Sequence, residues 1–224
     1  MSSHPPVSRC QLIQNTAVCD HRQLSSVPQD LPQNTEELQL NYNHITTLMD
    51  GSLNHYPSLK TLSLACNQLQ TIQPTAFQHL PVLTSLNLAN NDLYNGYEDA
   101  SAALKYLQSL KALDLSENKL NEENVMVLLE NLTTVEYLNL SGNLMQRLDE
   151  NIFRYLHHLK ELDLQQNILF EIDNAFHSNH KLQRLDLAFN YLPCLTDFHM
   201  SQLKVTLCPK SPIRFFKSGL ELLI

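Results

Sequence analysis

Ten histidines, five cysteines and 23 carboxylates carry the reactive groups of this 224-residue chain. His157-His158 and the pair His177 and His180 have spacings that could suit a metal. No cysteine or carboxylate pattern joins them, so they read as solvated loop histidines and no metal site is expected. Cys194 and His199 offer a thiol and a base, but no third group orients the base, so nucleophilic catalysis is not expected. Four glycines are too few to suggest a phosphate-cradling loop, and no cofactor is expected. A net charge of −8 opposes binding to nucleic acid, where a polyanion would be repelled. The chain therefore reads as no enzyme. Its polar side chains must act by contact, and what positions them becomes the main question.

The positioning element is a repeat. Leucine makes up about a fifth of the chain, and asparagine is also over-used. The unit Leu-x-x-Leu-x-Leu-x-x-Asn-x-Leu occurs at Leu59, Leu62, Leu64, Asn67 and Leu69, and returns in register along the sequence. Its asparagines are Asn43, Asn67, Asn91, Asn118, Asn143, Asn167 and Asn190, with steps of 24, 24, 27, 25, 24 and 23 residues. Seven copies in register predict an α/β leucine-rich-repeat solenoid. It has a curved parallel sheet on the concave face, and short helices, 3₁₀ turns and loops on the convex face. Alternating leucines point inward from each short strand. The asparagine carboxamide both donates and accepts, so it suits a turn where backbone groups would otherwise be buried unpaired. These seven are read as a structural ladder. In the two longest repeats, 100–110 and 125–132 place apolar residues on one helical face.

The same register fixes which side chains face outward on the concave side. One row reads Gln39, Ser63, Asn87, Asp114, Asn139, Asp163, Asp186. The other reads Glu37, Thr61, Ser85, Ala112, Tyr137, Glu161, Arg184. The face grows acidic toward its C-terminal half. Tyr137, Asp114, Asp163, Asp186, Glu161 and Arg184 are therefore the candidate binding strip for a basic partner; ordinary solubility is the competing reading. Two Asn-x-Ser/Thr acceptors stand at Asn131 and Asn139. The first falls on a convex loop. The second falls on the concave strand, where a glycan would block a ligand.

The ends divide the chain further. Residues 1–9 are polar, cannot form the apolar segment of a secretory signal, and read as disordered. Residues 10–33 carry Cys10 and Cys19, followed by Leu24, Val27-Pro28 and Leu31-Pro32. They resemble the cysteine-bearing N-terminal cap of extracellular leucine-rich-repeat proteins. The resemblance implies a disulfide, worth about 2.5–3 kcal/mol for so short a loop. The alternative is two free thiols in a cytosolic chain. With that bond made, Cys66, Cys194 and Cys208 remain, and Cys66 reads as a small filler at its turn. Repeats occupy 34–205, with an eighth beginning at Leu203. Residues 206–224 form a tail without repeat register, and the last sheet edge is expected to lack a good cover. No stretch approaches the ~20 apolar residues that span a bilayer.

Longer strings narrow the resemblance. Asn95 to Leu104 (NGYEDASAAL), Leu128 to Leu132 (LLENL), Arg147-Leu148-Asp149, Glu161 to Ile172 (ELDLQQNILFEI) and Leu187 to Phe198 (LAFNYLPCLTDF) resemble one group of receptors. That group includes negative regulator of reactive oxygen species and glycoprotein A repetitions predominant. The resemblance runs from about Cys10 to Val205. It implies the N-terminal part of a type I membrane protein's ectodomain, found at the cell surface and the endoplasmic reticulum membrane. Such ectodomains anchor latent transforming growth factor beta through disulfides to its propeptide, and Cys194 matches one linking position. It further implies a link to NADPH-oxidase oxidant production, with an oxidase subunit as a second partner. After Val205 the sequence departs from the family, which predicts a truncated form. The competing expectation is a cytosolic adaptor or structural fragment.

Overall fold

The computed structural model describes residues 10–193 throughout and, beyond them, the strands Leu195–Met200, Leu203–Leu207, Arg214–Lys217 and Leu220–Leu223. The segment 1–9, Cys194 and Cys208 lie outside the described residues. The chain winds into a leucine-rich-repeat solenoid built on one eleven-stranded sheet. Its strands are β1 (Gln11–Ile13), β2 (Thr16–Val18), β3 (Glu37–Gln39), β4 (Thr61–Ser63), β5 (Ser85–Asn87) and β6 (Ala112–Asp114). They continue as β7 (Tyr137–Asn139), β8 (Glu161–Asp163), β9 (Arg184–Asp186), β10 (Arg214–Lys217) and β11 (Leu220–Leu223). From β2 to β9 every pairing is parallel and the middle leucines are in register, Leu38 against Leu62 against Leu86 and onward to Leu185. Those leucines are at most 3% exposed and belong to one continuous core. Period two thus gives each three-residue strand one inward and two outward side chains.

The asparagine ladder closes the turn after each strand. Asn91 is representative. Its Nδ2 donates to the carbonyls of Leu88 and Leu64, both at 3.0 Å, and its Oδ1 accepts from the backbone N–H groups of Asn67 and Leu69 at 3.0 and 2.9 Å. One carboxamide closes its own turn and ties it to the preceding one. The residue before each ladder asparagine has a positive φ: Tyr42, Cys66, Asn90, Glu117, Gly142, Gln166 and Phe189 all lie between 53° and 66°. The chain must turn left-handed there to aim the asparagine inward, although the conformation is unfavourable for side-chain-bearing residues. Cys66 sits at this turn partly buried, and Asn90 Nδ2 lies 3.4 Å from its sulfur.

On the convex side, two-residue parallel bridges join Thr47–Leu48 to Thr71–Ile72 and Arg147–Leu148 to Glu171–Ile172. Between these bridges lie the helices α1 (Tyr97–Leu104) and α2 (Glu122–Leu129), which accommodate the extra residues of the longer repeats. Both differ in span from the sequence reading. α1 ends at Leu104 because the chain must return to β6 at Ala112. Tyr106, Leu107 and Leu110 then bond to carbonyls three residues back, in tighter turns. α2 begins before the apolar face does, at Glu122, because Asn121 and Asn124 form reciprocal side-chain-to-backbone caps. Ser101 Oγ joins the helices by donating to Val127 O at 2.8 Å.

Both ends are turned back. Cys10 and Cys19 are disulfide-bonded, and β1 folds antiparallel onto β2 outside the parallel stack. At the other end, Leu203–Leu207 pairs antiparallel with Leu195–Met200, so the expected eighth repeat strand does not enter the concave sheet. The place beside β9 is taken by β11, pairing parallel with Leu222 opposite Leu185, and β10 lies antiparallel beyond it. Leu222 is 2% exposed and joins the core. The expectation of a poorly covered last edge is corrected by this strand. An unpaired β9 would leave backbone groups without partners, and Leu187 N–H donates to Leu223 O at 2.6 Å.

Candidate concave binding face

The outward rows of β5 to β9 enclose a hollow of about 380 Å³. Tyr137, Asp114, Asp163, Asp186, Glu161 and Arg184, the six residues that the repeat register nominates, all line it. Ser85, Asn87, Ala112 and Asn139, with the middle leucines of β5 to β8, also line it and were not singled out as binding residues. The shape follows from side-chain size along one row. Ser85 and Ala112 are small, and next to them rise Tyr137, Glu161 and Arg184. Tyr137 is 43% exposed, an aromatic face held open by a rigid strand.

The second row is tied down. The Oδ1 atoms of Asn87, Asp114, Asn139, Asp163 and Asp186 accept the backbone N–H two residues on, at Ala89, Ser116, Ser141, Gln165 and Ala188, at 2.9 to 3.0 Å. Each makes an Asx turn that starts the chain out of its strand. Asparagine and aspartate serve equally in that role. The aspartates therefore have a structural function, and their negative charge on the concave face is additional to it. Burial pushes the Asp186 carboxyl above the usual carboxylate range; the Ala188 N–H opposes the shift and the neighbouring Asp163 charge adds to it. Arg184 stands opposite Glu221 of β11 in register, with Nε 3.9 Å from the carboxylate. That Nε is buried without a hydrogen-bond partner. Beside the strip, the Lys160 ammonium donates to Glu136 at 2.7 Å, which holds the Glu136 carboxyl below its ordinary value.

The other nominated positions lie elsewhere. Asn131 is exposed on the turn after α2, while Asn139 is half-buried within β7. Cys10 and Cys19 form the cap bond at the N-terminal end. Among the described residues no group of three or more His, Cys, Asp or Glu is placed to hold a metal ion, and no helix is long and apolar enough to cross a membrane. After β9, on either side of Asn190, Phe189 and Tyr191 are 69% and 73% exposed.

Residues 33–93 and 133–192 match the family described as leucine rich repeat, and 106–128 match a second family of the same description. The zebrafish (Danio rerio) protein "Transforming growth factor beta activator LRRC33" is 50% identical over 215 residues, which is 96% of this chain and 31% of that protein. Human oligodendrocyte-myelin glycoprotein is 35% identical over 69% of this chain and 32% of its own length. The chain thus spans about a third of the length of these curated relatives. The crystal structure of human 5T4 (Wnt-activated inhibitory factor 1, trophoblast glycoprotein) superposes with a TM-score of 0.72 at 27% identity, covering 88% of this chain and 75% of that one.

Proposed function

Since the chain belongs to the leucine-rich-repeat family, we propose that it is a non-catalytic binding module whose concave strip receives a protein partner, and that the partner is the propeptide of latent transforming growth factor beta. The observation that carries this reading is the 50% identity, over 96% of the chain, to a protein named as a transforming growth factor beta activator. The hollow beside Tyr137 supports it, because an exposed aromatic flanked by small residues offers a partner both an anchor and room to approach. The Cys10–Cys19 bond supports placement in an oxidising compartment, as the ectodomain of a cell-surface protein, over a cytosolic adaptor. In this reading Cys194 forms the mixed disulfide with the propeptide. The resemblance to negative regulator of reactive oxygen species extends the proposal to control of NADPH-oxidase oxidant output from the endoplasmic reticulum, with an oxidase subunit as partner.

Co-expression with the growth-factor precursor tests the reading. The two chains should co-purify and run as one band on non-reducing electrophoresis. Cys194→Ser should abolish that band while leaving non-covalent association. Tyr137→Ala with Glu161→Lys should weaken the association about tenfold or more, the loss expected of a truncated aromatic anchor. Association untouched by the double substitution would remove the concave strip, and no association of the wild-type pair would remove the partner.

A further inference from the structure

We propose that Asn131 is an N-glycosylation site and that Asn139, which heads the second acceptor sequence eight residues later, stays unmodified. This goes beyond the binding proposal and does not depend on which partner the strip takes. Both sequons satisfy the Asn-x-Ser/Thr rule, as Asn131-Leu132-Thr133 and Asn139-Leu140-Ser141. The fold separates them. Asn131 and Thr133 are both exposed on the turn that follows α2, with Leu132 between them anchoring the turn in the core at 1% exposure. No strand of the parallel sheet runs through this segment, and the exposed Asn131 side chain is open to solvent.

Asn139 is constrained by the strands on either side of it. It ends β7, in register with Asp114 on one neighbouring strand and Asp163 on the other. Those neighbours lie about 4.8 Å away, so a sugar ring leaving Asn139 would have to rise between two carboxylate-bearing rows. Its Oδ1 accepts the Ser141 N–H at 2.9 Å, and its backbone carbonyl accepts from Leu115 N–H at 2.9 Å. The side chain also lines the concave hollow. An oligosaccharide placed there before folding would obstruct closure of this turn onto its neighbours, so chains that reach this structure carry none at Asn139. The inference rests on the ectodomain placement proposed above, which the Cys10–Cys19 bond supports and in which glycosylation occurs. In the transfer, Nδ2 of Asn131 bonds to the anomeric carbon of a lipid-diphosphate-linked oligosaccharide. The bond from that carbon to the diphosphate oxygen breaks, the lipid diphosphate leaves, and Nδ2 gives one proton to the transferase.

The full chain, carried into the secretory pathway of mammalian cells by a fused cleavable signal peptide, provides the test. Mobility is read in whole-cell lysate with and without peptide N-glycosidase F, so the result does not require secretion. The wild type should show a single glycan step. Asn131→Gln should remove it, and so should Thr133→Ala, which destroys the acceptor without touching the asparagine. Asn139→Gln and Ser141→Ala should leave the step in place. A step that survives both Asn131→Gln and Thr133→Ala, a second step lost in Asn139→Gln, or a wild type with no step would each overturn the assignment.

Discussion

Asp186 shows how a single residue on the concave face combines two demands. Its Oδ1 closes an Asx turn through the Ala188 N–H, and burial holds its carboxyl above the ordinary range. A folded-state value raised above the unfolded one means that the folded chain binds the proton more tightly. Stability from this group is therefore greatest at low pH and is lost as pH rises through the folded value. Asparagine would keep the turn, as Asn87 and Asn139 do in other repeats, and would remove the buried charge. Asp186→Asn is accordingly expected to raise Tm at pH 7, and the difference should vanish near pH 3. Thermal melts of both chains at the two pH values check this; a lower Tm for the variant at pH 7 would contradict it. The aspartate row was legible from the register of the leucines. Its structural duty was hidden, because the signal is a bond from the side chain to its own backbone two residues on. The left-handed column was hidden for a different reason. Only Gly142 among its seven members is glycine, so residue type does not announce the conformation.

At the scale of elements, strands were easier to locate than helices. A three-residue strand with one buried leucine repeats its phase seven times, and each copy reinforces the reading of the next. The helices occur once each, and their bounds are set by caps rather than by the apolar face. For α2 the signal was present as Asn121-x-x-Asn124, a capping pair in which asparagine replaces the usual glutamate at the third position. Asn121 satisfies the Asn124 N–H at 2.9 Å, and the Asn124 carboxamide returns a bond to the Asn121 N–H at 3.1 Å. Asn121→Ala removes one half of this exchange. It should cost about 1 kcal/mol, measured by urea unfolding, within the range for loss of an N-cap. An unchanged unfolding midpoint would mean that tertiary packing alone holds the first turn of α2.

Across the whole molecule, the C-terminal tail was the least legible part of the fold. It has no ladder asparagine, and its strands are recognised only by what they complete. Leu222 falls in register with Leu185 and closes the core at the end of the sheet. Leu222→Ala should cost about 2–3 kcal/mol, at the lower end for a buried leucine because the site is terminal. The corresponding fall in Tm is about 4–12 °C for a chain of this size. A melt unchanged by the substitution would show that β11 does not contribute to the cooperative unit. The asparagine ladder carries a final consequence. The Nδ2 protons of Asn67, Asn91, Asn118, Asn143 and Asn167 are committed to buried carbonyls in two successive turns. They can trade with solvent deuterium only when those turns part. Asn190 is only part-buried and forms the last rung. The side-chain amides are therefore a row of clocks along the axis, and their exchange rates would record where a stack of nearest-neighbour couplings opens first.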